Sequence, residues 1–219
     1  MADDLKYGYK GAEPTQSFGN NTGVFDPNDI NNLIADNKWT TFGQLELIET
    51  QTFSTVSAVN FENMQVDTYN VHFLTYNFHT GAGDVGIFGR FGFKNSNGTF
   101  SYRDADNQYA NQYGEADGTF AAYTSTSMWA HQHCNLGSMA TSPDGLGFTG
   151  YAYLYNLGDS TKYSFMTQHS SYTSRVDLTA TFNFGSATYR VAERHEGYSI
   201  FPNTQTTSGS ASLYGIRYS

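Results

Sequence analysis

The chain has 219 residues, with 11 Lys or Arg, 20 Asp or Glu and a formal net charge of −9, so only 14% of it is charged, against about 25% in an ordinary soluble domain. Leu, Ile and Val number 25, whereas Phe, Tyr and Trp number 36 and Ser, Thr, Asn and Gln number 72. So many rings exclude a disordered chain, the acidic balance excludes a phosphate-tracking nucleic-acid groove, and no run of apolar residues is long enough for a membrane-spanning helix.

The opening MADDLKYGYK carries no apolar segment of the secretory kind, and Cys134 is the only cysteine, which rules out an intrachain disulfide framework. Synthesis in a reducing cytoplasm is the expectation. Residues 1–43 are rich in Gly, Asn, Ser and Thr and read as an extended N-terminal arm ending in one short docking helix over 26–38. Asp26 suits the cap, Pro27 the first helical position and Asp29 the first turn, and Ile30, Leu33 and Ile34 fall on one stripe. So short a helix is marginal alone and must dock, either across its own domain or onto a neighbour.

From residue 44 onward the period is two. Tyr69, Val71 and Phe73 alternate with Asn70, His72 and Leu74, and Val85 to Lys94, Tyr151 to Tyr155 and Tyr163 to Thr167 follow the same habit. So do Leu178 to Phe184 and Ala211 to Ile216. Turn-rich stretches at 95–98, 142–145 and 156–159 separate them. Many short strands without helical spacers predict an all-β protein, an antiparallel β-sandwich resembling a jelly roll, occupying residues 44–219 as one domain. Several strands carry rings on both faces, more than one small core needs, so contact with neighbouring subunits is expected.

The chemistry-bearing residues form no strong motif. His131 and His133 flank Gln132 and would share one face of a strand, where two imidazoles can begin a metal site on a threefold axis; hydrogen-bonded structural histidines are the alternative. Cys134 would face the other side as a small buried group. Asp104, Asp106, Asn107 and Glu115 resemble a calcium loop in spacing, but the sixth position is Tyr109, where a sharp turn needs Gly. Glu46 and Glu49, at odd separation on a strand, should face opposite sides, and Glu62, Glu193 and Glu196 read as loop acids. No nucleophile elbow, phosphate loop, zinc motif or dinucleotide fingerprint is present. No catalytic, cofactor-binding or metal-ligating residue is therefore assigned, and a non-enzymatic protein is expected. Tyr102, Tyr109, Tyr113 and Trp129 could supply stacking faces for a glycan, or core and interface rings.

Several blocks carry a resemblance. They are Gly11 to Ser17, Asn21 to Phe25, Leu47 to Thr52, Tyr69 to Phe73, Tyr155 to Gly158 and the closing Gly209-Ser210-Ala211-Ser212-Leu213-Tyr214-Gly215-Ile216. Together they resemble a family of small virion proteins of tailed bacteriophages, notably those of marine cyanobacteria. The resemblance implies a structural subunit of a tail appendage or fibre assembly, anchored by its arm, with capsid decoration or host-glycan binding as alternatives. It further implies assembly in host cytoplasm, residence in the virion, and partners among other virion proteins and sister copies, expected as a trimer. Neither nucleic acid nor membrane is an expected partner.

Overall fold

The computed structural model describes residues 27–35, 45–80, 83–139, 147–174, 178–204 and 206–216. The chain divides into two compact units, Met1–Phe42 with Ser219, and Gly43–Tyr218. In the first, the described element is α1 (Pro27–Ala35), which starts on its proline, where the missing N–H has no intrahelical partner to lose. Ile30 is half-buried while Asn28, Asn31, Asn32 and Ala35 are exposed. The capping role of Asp26 and the side chains of Leu33 and Ile34 lie outside the described residues.

The second unit is all antiparallel strand: β1 (Leu45–Val56), β2 (Val59–Phe61), β3 (Val71–Thr80), β4 (Gly83–Lys94), β5 (Phe100–Tyr102), β6 (Asn107–Glu115) and β7 (Phe120–Met128), followed by β8 (His131–Met139), β9 (Gly147–Tyr155), β10 (Ser164–Thr173), β11 (Ala180–Tyr189), β12 (Gly197–Pro202) and β13 (Thr207–Ile216). Eight form one sheet in the order β1-β13-β3-β9-β10-β11-β6-β7, and five form the other, β2-β12-β4 with β5 and β8 sharing the far edge of β4. The sandwich agrees with the sequence reading. Its unequal sheets differ from the eight-stranded arrangement of a simple jelly roll.

The core lies between the sheets and has two halves. Under β13, β3 and β9 it is apolar: Leu213, Leu74, Phe78, Phe148 and Leu154 meet Val59, Phe61, Ile87, Phe91 and Ile200 of the smaller sheet. Under β10, β11 and β6 it is mixed: Gln168, Asn183, Asn107 and Asn111 are buried among Met166, Tyr172, Ala187, Tyr189 and Tyr109. For Gln168 and Asn111 the reason is β8, which among the described residues pairs with β4 alone and leaves backbone carbonyls turned into the interior, where each needs a donor. Asn111 donates to the Gln132 carbonyl at 2.5 Å and Gln168 donates to the His133 carbonyl at 3.0 Å. Amides therefore stand where a sandwich ordinarily carries leucines.

One expectation about register is corrected. Glu46 pairs with Gly215 and Glu49 with Leu213, because a bulge at Ile48 inserts an extra residue into β1. The two carboxylates thus share a face rather than opposing one another. Tyr69 donates to Glu46 at 2.7 Å and Gln51 to Glu49 at 2.8 Å.

Candidate functional site: an uncharged aromatic face over a histidine core

The outward side chains of the large sheet fall into rows crossing the strands. One row runs Leu47, Tyr214, Phe73 and Tyr153, then Thr167, Ser186, Ala110 and Thr124. Beside it runs Thr50, Ser212, Thr75 and Tyr151, then His169, Phe184, Gln112 and Ala122. Thr52, Ser210, Asn77 and Thr149, then Ser171, Phe182, Gly114 and Phe120 make a third row. Leu45, Ile216, Val71 and Tyr155, then Phe165, Thr188 and Gln108 make the fourth. Not one of these positions is Asp, Glu, Lys or Arg.

Rings occupy two diagonal quarters of this face. In one, Phe73 lies 4.8 Å from Tyr153 and 6.2 Å from Tyr214. In the other, Phe182 and Phe184 stack at 6.2 Å with planes 7° apart, and Phe120 meets Phe182 edge-on at 6.2 Å. Gly114 makes this second cluster possible, since a Cβ there would stand 2.6–2.7 Å from ring atoms of Phe182 and Phe120. The remaining quarters each hold a hollow beside a single ring, Tyr151 in one and Phe165 in the other. A hollow of about 480 Å³ is floored by Ser212, Thr75 and Ser210 beside Tyr151, and one of about 390 Å³ by Ser186, Ala110 and Thr124 beside Phe165. Phe120 is 74% exposed, Phe184 46% and Phe165 43%, so the rings stand in water.

Charge lies elsewhere. Arg194 bonds Asp67 at 2.7 Å and Glu196 at 3.1 Å, Arg190 meets Asp106 at 3.6 Å, and Lys162 meets Asp159 at 2.8 Å. Arg103 grips Glu193 bidentately while its guanidinium covers Phe93 at 3.4 Å. These pairs occupy the loops between β2 and β3, β5 and β6, β9 and β10, and β11 and β12, all at one end of the sandwich. The Arg194 hydrogen bonds hold the Asp67 carboxyl below its ordinary value.

Inside the sandwich His131 and His133 share a face of β8, as their spacing predicts, but that face is the interior and both are wholly buried. Both Nε2 atoms contact the Tyr198 hydroxyl, at 2.7 Å for His133, and the Tyr76 hydroxyl meets His133 Nδ1 at 3.2 Å. Tyr198 has one proton, so at least one imidazole must donate to it. Desolvation keeps both rings neutral, holding His133 at about 3 and His131 well below the ordinary value, the latter also opposed by its neighbour. The imidazoles are thus committed to a tyrosine within their own chain rather than to a shared axis. Among the described residues no group of three or more His, Cys, Asp or Glu is placed to hold a metal. The side chain of Cys134 lies outside the described residues.

The fold also assembles a trio that no motif announced. His195 Nε2 donates to Glu193 at 3.2 Å, leaving Nδ1 to accept from the Ser164 hydroxyl at 2.8 Å. This is the hydrogen-bond order of a hydroxyl nucleophile, base and acid. Ser164 and His195 are nevertheless both fully buried, so the hydroxyl cannot meet a substrate, and the trio ties β10 to the loop before β12. Glu193 and His195 lie two apart in one loop, but Ser164 stands 31 positions from His195 on another strand, so spacing could not have found the trio.

The other candidates are scattered. Asp104 and Glu115 stand beyond and at opposite ends of β6, a nine-residue strand about 30 Å long, and cannot share a cation. Tyr109 is buried and bonds Gln132 at 3.2 Å, Tyr113 stacks on Tyr123 at 4.6 Å, Tyr102 bonds Glu62 at 3.4 Å, and Trp129 packs on Phe88 at 5.0 Å. The structure does not gather these four rings into one platform. The ring-bearing face consists mainly of other residues, whose outward direction follows from strand parity. No family model, curated protein or solved structure matches this chain.

Proposed function

We propose that this chain is a non-enzymatic structural subunit of a tailed-phage particle, held in a tail appendage or fibre assembly through the outer face of its eight-stranded sheet. The observation that carries the reading is that face: a wide sheet surface, rich in rings and hydroxyls and free of charged side chains, on a chain of net charge −9. Exposed aromatic patches of this extent mark protein interfaces. Salt of seawater strength shortens the Debye length to about 4 Å, which weakens ion pairs and leaves apolar contact intact. The sequence blocks that resemble marine phage virion proteins agree with such a setting.

Two substitutions test it in the particle. Tyr153→Asp and Phe184→Asp place a charge on the exposed face without touching the core, so the isolated domain still folds. Incorporation into virions, measured by quantitative mass spectrometry, should fall several-fold for each. Full-level incorporation of both variants refutes the reading. Immunogold labelling of wild-type particles assigns the subunit to the tail or to the capsid surface.

A further inference from the structure

We infer that the occupant of the uncharged face is a second copy of this chain, turned over about a two-fold axis that lies in the face parallel to the strands, between β9 and β10. The inference rests on the structural-subunit reading and names the partner at that same surface. Its basis is the diagonal arrangement of rings and hollows. When a face with raised features in two opposite quarters is turned over about its own midline, every raised quarter meets a hollow one.

The register makes the match specific. With the axis between β9 and β10, strands β3 and β11 of the two copies overlie one another, as do β13 and β6. Phe184 of one copy then stands over Thr75 of the other, Phe182 over Asn77, and Phe73 over Ser186. Phe184, Phe182 and Phe73 are each opposed by a small hydroxyl or amide side chain, while beside the axis Phe165 meets Tyr155 and Tyr151 meets His169, and each contact occurs twice, as a two-fold interface requires. Antiparallel sheets packed face to face in this way interdigitate like the inner faces of a sandwich.

Charge and area point the same way. A chain of net charge −9 repels its own copies over most of its surface, and here the carboxylates are absent from one broad face. Eight strands about 4.8 Å apart, crossed by four rows about 6.8 Å apart, give a plan area of about 1,000 Å² per copy, enough for a stable dimer.

The test uses the full-length chain at micromolar concentration. Sedimentation equilibrium should show a dimer that persists from low to seawater salt. Phe184→Asp should raise its dissociation constant at least about ten-fold, while Val191→Asp, exposed but off this face, should leave it unchanged. In a Cys134→Ser background, His169→Cys lies beside the axis, and a thiol-to-thiol cross-linker that spans two packed sheets, about 10 Å, should join two copies through it, whereas Ala122→Cys, on the edge strand far from its own copy, should not be joined. A monomer, a trimer, or a hollow filled by neutral oligosaccharide each overturns the pairing. If the chain is monomeric yet Phe184→Asp still removes it from particles, the pairing fails and the structural-subunit reading stands. A two-fold dimer whose face variants enter particles at full level does the reverse.

Discussion

Tyr198 is the residue on which the interior turns. Its hydroxyl is buried and lies against His131, His133 and, at 3.3 Å, the Met166 sulfur, while its ring lies 5.6 Å from Phe91. Gly89 makes room for it, since a Cβ there would stand 2.1 Å from the Tyr198 oxygen. Tyr198→Phe keeps the ring and removes the one atom that satisfies both imidazoles. His131 Nδ1 already lacks a partner, so its ring would then be buried with neither nitrogen bonded. Leaving buried polar atoms unsatisfied costs about 2–4 kcal/mol here, which for a chain of this size lowers the melting temperature by about 4–15 °C. Denaturant unfolding with calorimetry measures this, and a variant as stable as wild type would show that the hydroxyl is not the shared partner. The Ser164–His195–Glu193 trio belongs to the same class of interior bonding, in which a buried hydroxyl and imidazole satisfy one another instead of a substrate.

At the scale of the element, β13 holds the large sheet together, pairing with β1 on one side and β3 on the other. It begins with an irregularity that only glycine tolerates: Gly209 has φ +144°, and a Cβ there would lie 2.1 Å from the Asn77 carbonyl oxygen. Gly209→Ala is therefore expected to part β13 from β3 near Ser210 and Asn77, at a cost of about 2 kcal/mol or more. Hydrogen exchange should show faster exchange of the amides around 209–211, with those at 213–216 unchanged, and uniform protection would refute it. This strand was readable in the sequence because Ala211, Leu213 and Gly215 alternate with larger outward residues, and the same code revealed β3, β4, β9, β10 and β11. It worked poorly at β6 and β8. There the inward Asn111 is polar because it faces a carbonyl of β8, and Asn107 because it faces the Arg103, Ala105 and Met128 carbonyls, facts about the positions of other segments. The bulge at Ile48 was equally hidden, since no local residue pattern distinguishes one extra residue in an edge strand. The ring-rich face was legible only in part: an excess of aromatics was evident, but its division into quarters depends on strand order.

Among the described residues two kinds of polar chemistry are set apart, with the ion pairs of Arg103, Lys162, Arg190 and Arg194 in loops at one end of the sandwich and four of the imidazoles in its interior. Four histidines, His72, His131, His133 and His195, are fully buried. Desolvation lowers each one, to about 4 for His72, about 3 for His133 and about 4 for His195, where Glu193 only partly opposes it, and well below the ordinary 6.5 for His131. In the unfolded chain all four return to about 6.5. Above that pH they are neutral in both states and impose no penalty. As pH falls below it the unfolded chain takes up protons that the folded chain cannot, so stability declines until the folded values are reached. Each such histidine contributes about 1.4 kcal/mol per pH unit, and four together give about 5 kcal/mol per unit near pH 5. Asp67, held low by Arg194, adds a loss of the same sign only at lower pH. The protein should therefore be stable from neutral pH upward and unfold cooperatively between about pH 4 and 5.5, binding close to four protons as it does so. Urea titrations at pH 7, 6 and 5 measure the slope. His133→Gln, which keeps a hydrogen-bonding group but cannot take up a proton in this range, should reduce that slope by about a quarter. Stability that stays flat from pH 7 to 5 would mean that the imidazoles are not held neutral in the folded chain.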